Sequence, residues 1–152
     1  TIIKASASEL CIKFLPLWEQ NTSIYKEIKN LALLKYDSYS YLIGKYLEWE
    51  MNFLKHLGYE LNIKKCYVTG EFNNTYFISP KTGNAVNFEI GKKYAKNLFI
   101  IPKCMKENFK KNKYDDYKEA LRITGYFFLK ILENNKFKFI FRNQIINKLE
   151  GL

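Results

Sequence analysis

Histidine occurs once in this sequence, at His56, and that scarcity limits the chemistry open to it. A Ser-His-Asp or Cys-His nucleophile system would depend on a residue predicted in the last turn of a helix, beside Gly58. A surface imidazole favoured by the helix dipole is the simpler reading. The seven glycines form neither a Gly-x-Gly-x-x-Gly nor a Walker-type loop. Glu48 and Glu50 are two apart on a predicted helix, so they do not face each other as an acid–base pair. The chain therefore reads as a non-enzyme without a cofactor. Cys11, Cys66 and Cys104 are odd in number and widely spaced, which excludes a disulfide framework and fits buried thiols in a reducing cytoplasm. No signal-peptide pattern is present, and no apolar run approaches the roughly 18 residues of a membrane span. The expectation is a soluble cytoplasmic chain with no membrane partner. Asn21-Thr22-Ser23 and Asn73-Asn74-Thr75 fit the glycosylation pattern only by chance in such a chain.

Arginine is scarce too, limited to Arg122 and Arg142, yet Lys plus Arg is 25 against 15 Asp plus Glu. The formal net charge of +10 favours anionic partners: nucleic acid, acidic peptides or anionic lipid. A chain rich in Lys, Asn, Ile, Tyr and Phe is also what an AT-rich genome imposes on any protein. Both readings stay open on composition alone. At 152 residues with 47% hydrophobic content, the chain suits one domain, 1–152, with a single core.

Ser6-x-x-Glu9 has the capping-box spacing, which predicts a first helix over about 7–15 that stops near Pro16. Ile24, Ile28, Leu31 and Leu34 mark a second helix. Leu42, Tyr46, Trp49, Phe53 and Leu57 mark a third, closed by Gly58. Over 66–86 the pattern changes to alternating Tyr, Val, Thr, Phe and Ile punctuated by turn residues, and predicts a small hairpin inserted at about 62–90. Short helices are expected after Asn87 and Pro102, and Lys110-Lys111-Asn112-Lys113 reads as a solvated linker. Tyr117, Leu121, Thr124, Phe128 and Ile131 predict a long helix with Asp115 and Asp116 at its positive end. Ile145, Ile146 and Leu149 give a last short one. The fold class is mainly α, a compact helical domain with a small β-hairpin. Trp49, Phe53, Phe127 and Phe128 have the faces to stack on unpaired bases, but their helical spacing assigns them to the core.

The hairpin has the layout of a zinc knuckle. Cys66-Tyr67-Val68-Thr69-Gly70 and Ser79-Pro80-Lys81-Thr82-Gly83 flank the strand-like Thr75-Tyr76-Phe77-Ile78, as two opposed turns would around one ion. Only Cys66 supplies a thiolate, and Thr69 stands where the second cysteine of a Cys-x-x-Cys would be. The expectation is a turn kept without metal.

These residues also carry a family resemblance. Trp49-Glu50-x-x-x-Leu54-x-x-Leu57-Gly58-Tyr59-x-Leu61, Cys66-x-Val68-Thr69-Gly70 and Ser79-Pro80-Lys81-x-Gly83-x-Ala85-Val86 resemble the C-terminal domain of the RecO recombination mediators. Leu10-Cys11, Leu15-Pro16, the segment from Leu98 to Pro102 and Leu121-Arg122-Ile123-Thr124-Gly125-Tyr126-Phe127 extend the likeness along nearly the whole chain. Some family members carry four cysteines at the knuckle, and the corresponding positions here read Cys66, Thr69, Asn87 and Ile90. The family's N-terminal OB-fold barrel is not seen in this sequence, which opens on helical residues, and Thr1 in place of an initiator methionine makes a fragment lacking that barrel the expectation.

The resemblance implies DNA repair and recombination in the RecF pathway: binding DNA and single-strand-binding protein, assisting recombinase loading and annealing strands, in the cytoplasm with the nucleoid. Its implied partners are single- and double-stranded DNA, RecR and the acidic C-terminal tail of single-strand-binding protein. The runner-up is a protein-docking module with no useful DNA affinity of its own. Lys64, Lys65, Lys81, Lys92, Lys93 and Lys96 flank the hairpin in sequence and are the candidate phosphate contacts, against the simpler reading of a solvated surface. Arg122, beside the core stripe of the long helix, is the candidate clamp for the tail carboxylate, and Lys45 is the second choice. Pairing of Arg122 with Glu119 or Asp116 is the competing reading.

Overall fold

The computed structural model describes residues 1–107 and 113–152. Among the described residues, seven α-helices surround a core to which a small sheet is joined: α1 Ile2–Phe14, α2 Thr22–Ala32, α3 Tyr39–His56, α4 Phe88–Gly91, α5 Lys103–Lys106, α6 Tyr114–Leu132 and α7 Ile140–Glu150. The strands are β1 Asn62–Cys66, β2 Thr75–Ile78, β3 Asn84–Asn87 and β4 Phe99–Ile100. The mainly helical class with a small β element is as the sequence predicts. Lys110, Lys111 and Asn112 of the expected linker lie outside the described residues, and exposed Lys113 directly precedes α6.

Helices α3 and α6 form the centre. Helix α3 is buried on more than one face, through Leu42, Ile43, Tyr46, Leu47, Trp49, Phe53 and Leu54. It packs on α6, which contributes Tyr117, Leu121, Phe127 and Phe128. Trp49 and Phe53 stack with ring centroids 5.1 Å apart, and Phe53 lies 6.1 Å from Phe128. These aromatics are core, as their spacing implied. Burying each stabilises the fold by about 1.5 to 3 kcal/mol. Gly58 closes α3 at φ +86°, and the Tyr59 amide donates back to the Leu54 carbonyl at 2.8 Å.

Helix α1 differs from its expectation. It begins at Ile2, with Thr1 Oγ1 accepting from the Lys4 amide, so Ser6 is not a cap. Ser6 is buried within the helix and its hydroxyl pairs with the Tyr46 hydroxyl of α3. Ser and Glu three apart fit a capping box or two separate tertiary contacts equally well, and here the tertiary contacts win. The Glu9 carboxylate reaches across to the start of α7. It accepts from the backbone amides of Ile140, Phe141 and Arg142 at 2.5, 3.0 and 3.2 Å, where Phe139 makes no side-chain cap. A carboxylate at a helix N-terminus satisfies orphan amides and complements the dipole. Glu9→Gln should therefore cost about 0.5 to 2 kcal/mol in urea denaturation, and an unchanged midpoint would show that solvent satisfies those amides equally well.

The expected hairpin is present as β2 and β3, joined by the turn over 79–83 and paired antiparallel within a four-stranded sheet of order β1-β3-β2-β4. Strand β1 runs parallel to β3 on one side, and β4 pairs antiparallel with β2 on the other. One face of the sheet, with Ile63, Ile78 and Ala85, joins the helical core. Phe77 and Val86 lie under α4, where a Cβ on Gly91 would come within 2.4 Å of the Phe77 ring. Only glycine lets α4 sit this close.

Candidate nucleic-acid and peptide interface

The knuckle turn is built by hydrogen bonds centred on Cys66. Its sulfur accepts the Thr69 amide at 3.5 Å and the Asn87 amide at 3.4 Å. The Cys66 amide donates to the Glu71 carbonyl at 2.8 Å, and the Gly70 amide to the Cys66 carbonyl at 2.9 Å, with Gly70 at φ +76°. Asn87 Nδ2 closes the cluster by donating to Thr69 Oγ1 at 3.2 Å and Glu71 Oε2 at 2.8 Å. Burial alone raises the Cys66 thiol, but the donors from Thr69 and Asn87 outweigh it and hold the thiol below its ordinary value.

This donor set does not fit a zinc ion. Tetrahedral zinc needs four electron-pair donors. Here one thiol is surrounded by N–H groups, Asn87 turns its amide nitrogen into the cluster, and Ile90 carries no ligand atom. Among the described residues, no three His, Cys, Asp or Glu side chains converge as a metal site would require.

The six candidate lysines are all exposed but do not gather in one place. Lys64 and Lys65 lie on β1, and Lys92, Lys93 and Lys96 on the 3₁₀ stretch after α4. Because β3 runs parallel to β1 and leads into α4, the C-terminal ends of β1 and β3 lie at the same end of the sheet. Lys81 sits in the β2–β3 turn at the opposite end. There its carbonyl accepts from Lys130 Nζ at 2.7 Å and from the Tyr59 hydroxyl at 2.9 Å. Lys130 also bonds the Pro80 carbonyl at 2.7 Å, a tertiary contact that no sequence pattern marks.

Arg122 stands on the outer side of α6, with Nε and Nη2 donating to Glu119 Oε2 at 3.0 and 2.8 Å. Its guanidinium carbon lies 5.2 Å from the centre of the Phe99 ring. Beside it opens a slot of about 320 Å³ whose lining includes Phe99, Leu121, Gly125, Tyr126, Leu129 and Phe139. No carboxylate is among the lining residues of that slot. Lys45 borders a second cavity, of about 410 Å³, between α2 and α3, and that one includes Glu27 and Glu48. Lys45 itself donates to Glu48 Oε2 at 3.0 Å, a bond that raises its pKa.

Arg142 also lines the slot, but it is committed inward. Its Nε donates to Glu50 Oε1 at 2.7 Å and its Nη2 to Glu50 Oε2 at 3.1 Å. Nη2 further donates to the Leu121 carbonyl and to Thr124 Oγ1, and the Thr124 hydroxyl donates to Glu50 Oε2 at 2.8 Å. Burial lowers the Arg142 pKa, yet the adjacent Glu50 charge and its hydrogen bonds leave it above the ordinary value. Sequence reasoning named Glu50 and Thr124 separately and missed the pair. The available signal was a Glu on the core face of α3 opposite Thr124-Gly125 and one of only two arginines.

Together these features define a basic, mainly helical chain whose small sheet carries a knuckle-like turn held by hydrogen bonds and whose helices α3 and α7 share a buried ion pair. The chain belongs to the RecO family: residues 2–138 match the family described as "Recombination protein O C terminal". It is similar to the DNA repair protein RecO of Wolbachia pipientis subsp. Culex pipiens (strain wPip), with 34% identity over 138 residues, covering 87% of this chain and 57% of that protein. The DNA repair protein RecO of Ehrlichia chaffeensis (strain Arkansas) is 31% identical over 163 residues, covering 97% of this chain and 66% of that protein. That of Rickettsia canadensis (strain McKiel) is 34% identical over 98 residues, or 64% of this chain and 41% of that protein. The chain thus spans less than two thirds of the length of the Wolbachia and Rickettsia relatives. No solved structure matches it. Among the described residues no helix is long and apolar enough to cross a membrane.

Proposed function

We propose that this chain serves DNA repair as the C-terminal part of a RecO-type recombination mediator, a cytoplasmic protein without catalytic activity of its own. In this reading it binds single- and double-stranded DNA through lysine contacts to phosphate, works with RecR, and docks the acidic C-terminal tail of single-strand-binding protein, so assisting recombinase loading and strand annealing. The observation that carries the docking role is the slot beside Arg122. An acidic tail ending in an aromatic residue needs an apolar slot for the ring and a cation at its edge for the terminal carboxylate. Phe99, Leu121, Tyr126 and Leu129 supply the first, and Arg122, with its guanidinium above Phe99, supplies the second. The peptide carboxylate takes over the role of Glu119, an exposed partner whose pairing is worth little in water. The cavity at Lys45 is less suitable, because Glu27 and Glu48 would repel the acidic run.

Titration of a labelled tail peptide tests this. Arg122→Ala should weaken binding by about 1 to 3 kcal/mol, the loss expected for hydrogen bonds between charged groups. Unchanged affinity in a folded variant removes Arg122 from the site, and no binding by the parent chain removes the docking role. A salt titration of DNA binding separates the mediator from a docking module without DNA affinity. Neutralising Lys92 and Lys93 should flatten the salt slope and weaken different sequences equally, because phosphate contacts displace counterions without reading bases.

A further inference from the structure

The large aromatics of α3 and α6 that pack the core are buried, but several at one end of the sheet are not. Parallel β1 and β3 and antiparallel β2 bring the C-terminal end of β1, the start of β2 and the C-terminal end of β3 together. There Tyr67 is 74% exposed, Phe72 66%, Phe88 47% and Tyr76 38%. The Tyr76 and Phe88 ring centroids are 5.1 Å apart, and Lys65 Nζ lies 5.5 Å from the centre of the Phe72 ring. Asn87, immediately before Phe88, bonds Thr69 and Glu71, so the knuckle fixes the loop bearing Tyr67 and Phe72 against the strand end bearing Phe88. Large rings left in water together forgo their burial energy, and on a soluble surface such grouping marks a binding face.

The charge around the rings identifies the occupant. Lys64 and Lys65 lie on β1, and Lys92 follows Phe88 by one helical turn, paired there with the exposed Glu89 that a phosphate would replace, while Glu71 is engaged by Asn87. Flat apolar faces among cations fit a strand that alternates bases with phosphates. In a duplex the base faces are stacked away, so only an unpaired strand can use the rings. We infer that this end of the sheet is a stacking platform for single-stranded DNA, with Phe72 and Phe88 holding bases and Lys65 and Lys92 holding phosphates. The inference rests on the DNA-binding reading above and adds to it a preference for single strands and the rings that set it.

The test uses the full chain with a labelled oligothymidylate, the matching oligouridylate and a duplex of equal length, followed by anisotropy. The combined Phe72→Leu and Phe88→Leu variant should lose roughly tenfold or more in affinity for the single strand. Its duplex affinity and salt slope should be unchanged. Phe72→Trp keeps the ring at a position exposed enough to tolerate it, and oligothymidylate should quench the new indole fluorescence. Parent chain that binds neither DNA overturns the DNA-binding reading and this inference with it. A parent that binds DNA while the leucine variant binds the single strand equally well overturns the platform alone. Equal losses for single strand and duplex would show that the rings only position lysines. Absence of quenching in Phe72→Trp, or tighter binding of oligouridylate, also overturns it. Quenching by an acidic aromatic peptide and not by oligothymidylate would assign the face to a protein partner instead.

Discussion

Arg142→Ala destabilises the domain by about 3 to 5 kcal/mol, the range for removing one partner of a buried ion pair, and urea denaturation reads that loss directly. Glu50 is fully buried and Arg142 nearly so, so truncating the arginine leaves a carboxylate that water cannot reach. Thr124 also loses the guanidinium that donates to it, and the Leu121 carbonyl loses one of its donors. Gly125 belongs to the same arrangement, since a Cβ there would lie 2.7 Å from Arg142 Nη1. The pair joins α3, α6 and α7 at one point, so its removal loosens three helices together. The double change Glu50→Leu with Arg142→Met removes both charges and should be far less costly than either single change, because no charge is left without a partner. A single-variant loss below about 1 kcal/mol would mean that solvent reaches the site and that the pair is exposed in solution.

Periodicity made the helices legible because each long one buries a stripe at steps of three and four. Ile24, Ile28 and Leu31 of α2 are buried as their spacing implies, Leu34 of the same expected stripe falls beyond the helix end at Ala32, and Gly58 ends α3 where glycine at a helix terminus is expected. The start of α1 was not legible. Ser6 and Glu9 have the local spacing of a capping box, and only the tertiary fold sends Ser6 to Tyr46 and Glu9 to the α7 amides. The sheet was legible only in its β2–β3 hairpin, because a turn announces those two strands in sequence. Parallel pairing of β1 with β3 joins segments with no turn between them, and β4 is two residues long. Among candidate contacts, sequence proximity to the hairpin grouped Lys81 with Lys65 and Lys92. The strand directions separate them. Arg122 was legible as an exposed cation beside a core stripe, but its slot is completed by Phe99 of β4 and by Phe139 just before α7, which lie far from it in sequence.

Alkaline pH weakens this fold steeply, through thiols that it holds neutral. Burial, with the Glu27 charge adding to it, pushes Cys11 from its ordinary value of 9.0 up to about 12. Burial and then Asp116 push Cys104 to about 12 as well. Above pH 9 the unfolded chain loses both protons while the folded chain keeps them until about 12. The unfolded state then binds fewer protons, so stability is fully present below pH 9 and falls as pH rises towards 12. Each thiol accounts for about 1 to 3 kcal/mol by pH 11. Tyr46, held well above its ordinary value by burial first and by Glu50 second, adds to the loss above pH 10.0. Cys66 acts in the opposite direction, because its lowered value contributes stability above the ordinary thiol range that disappears as pH falls. Urea midpoints from pH 8 to 11 check this in the parent and in a variant carrying Cys11→Ala and Cys104→Ala. The variant starts less stable at pH 8, since it leaves two small cavities in the core. Its stability should then fall more gently, so that the gap from the parent narrows by about 1 to 3 kcal/mol per thiol by pH 11, leaving the residual slope to Tyr46, Tyr39 and Lys45, whose values the fold also raises. Parallel curves for the two proteins would show that Cys11 and Cys104 ionise in the folded chain as freely as in the unfolded one.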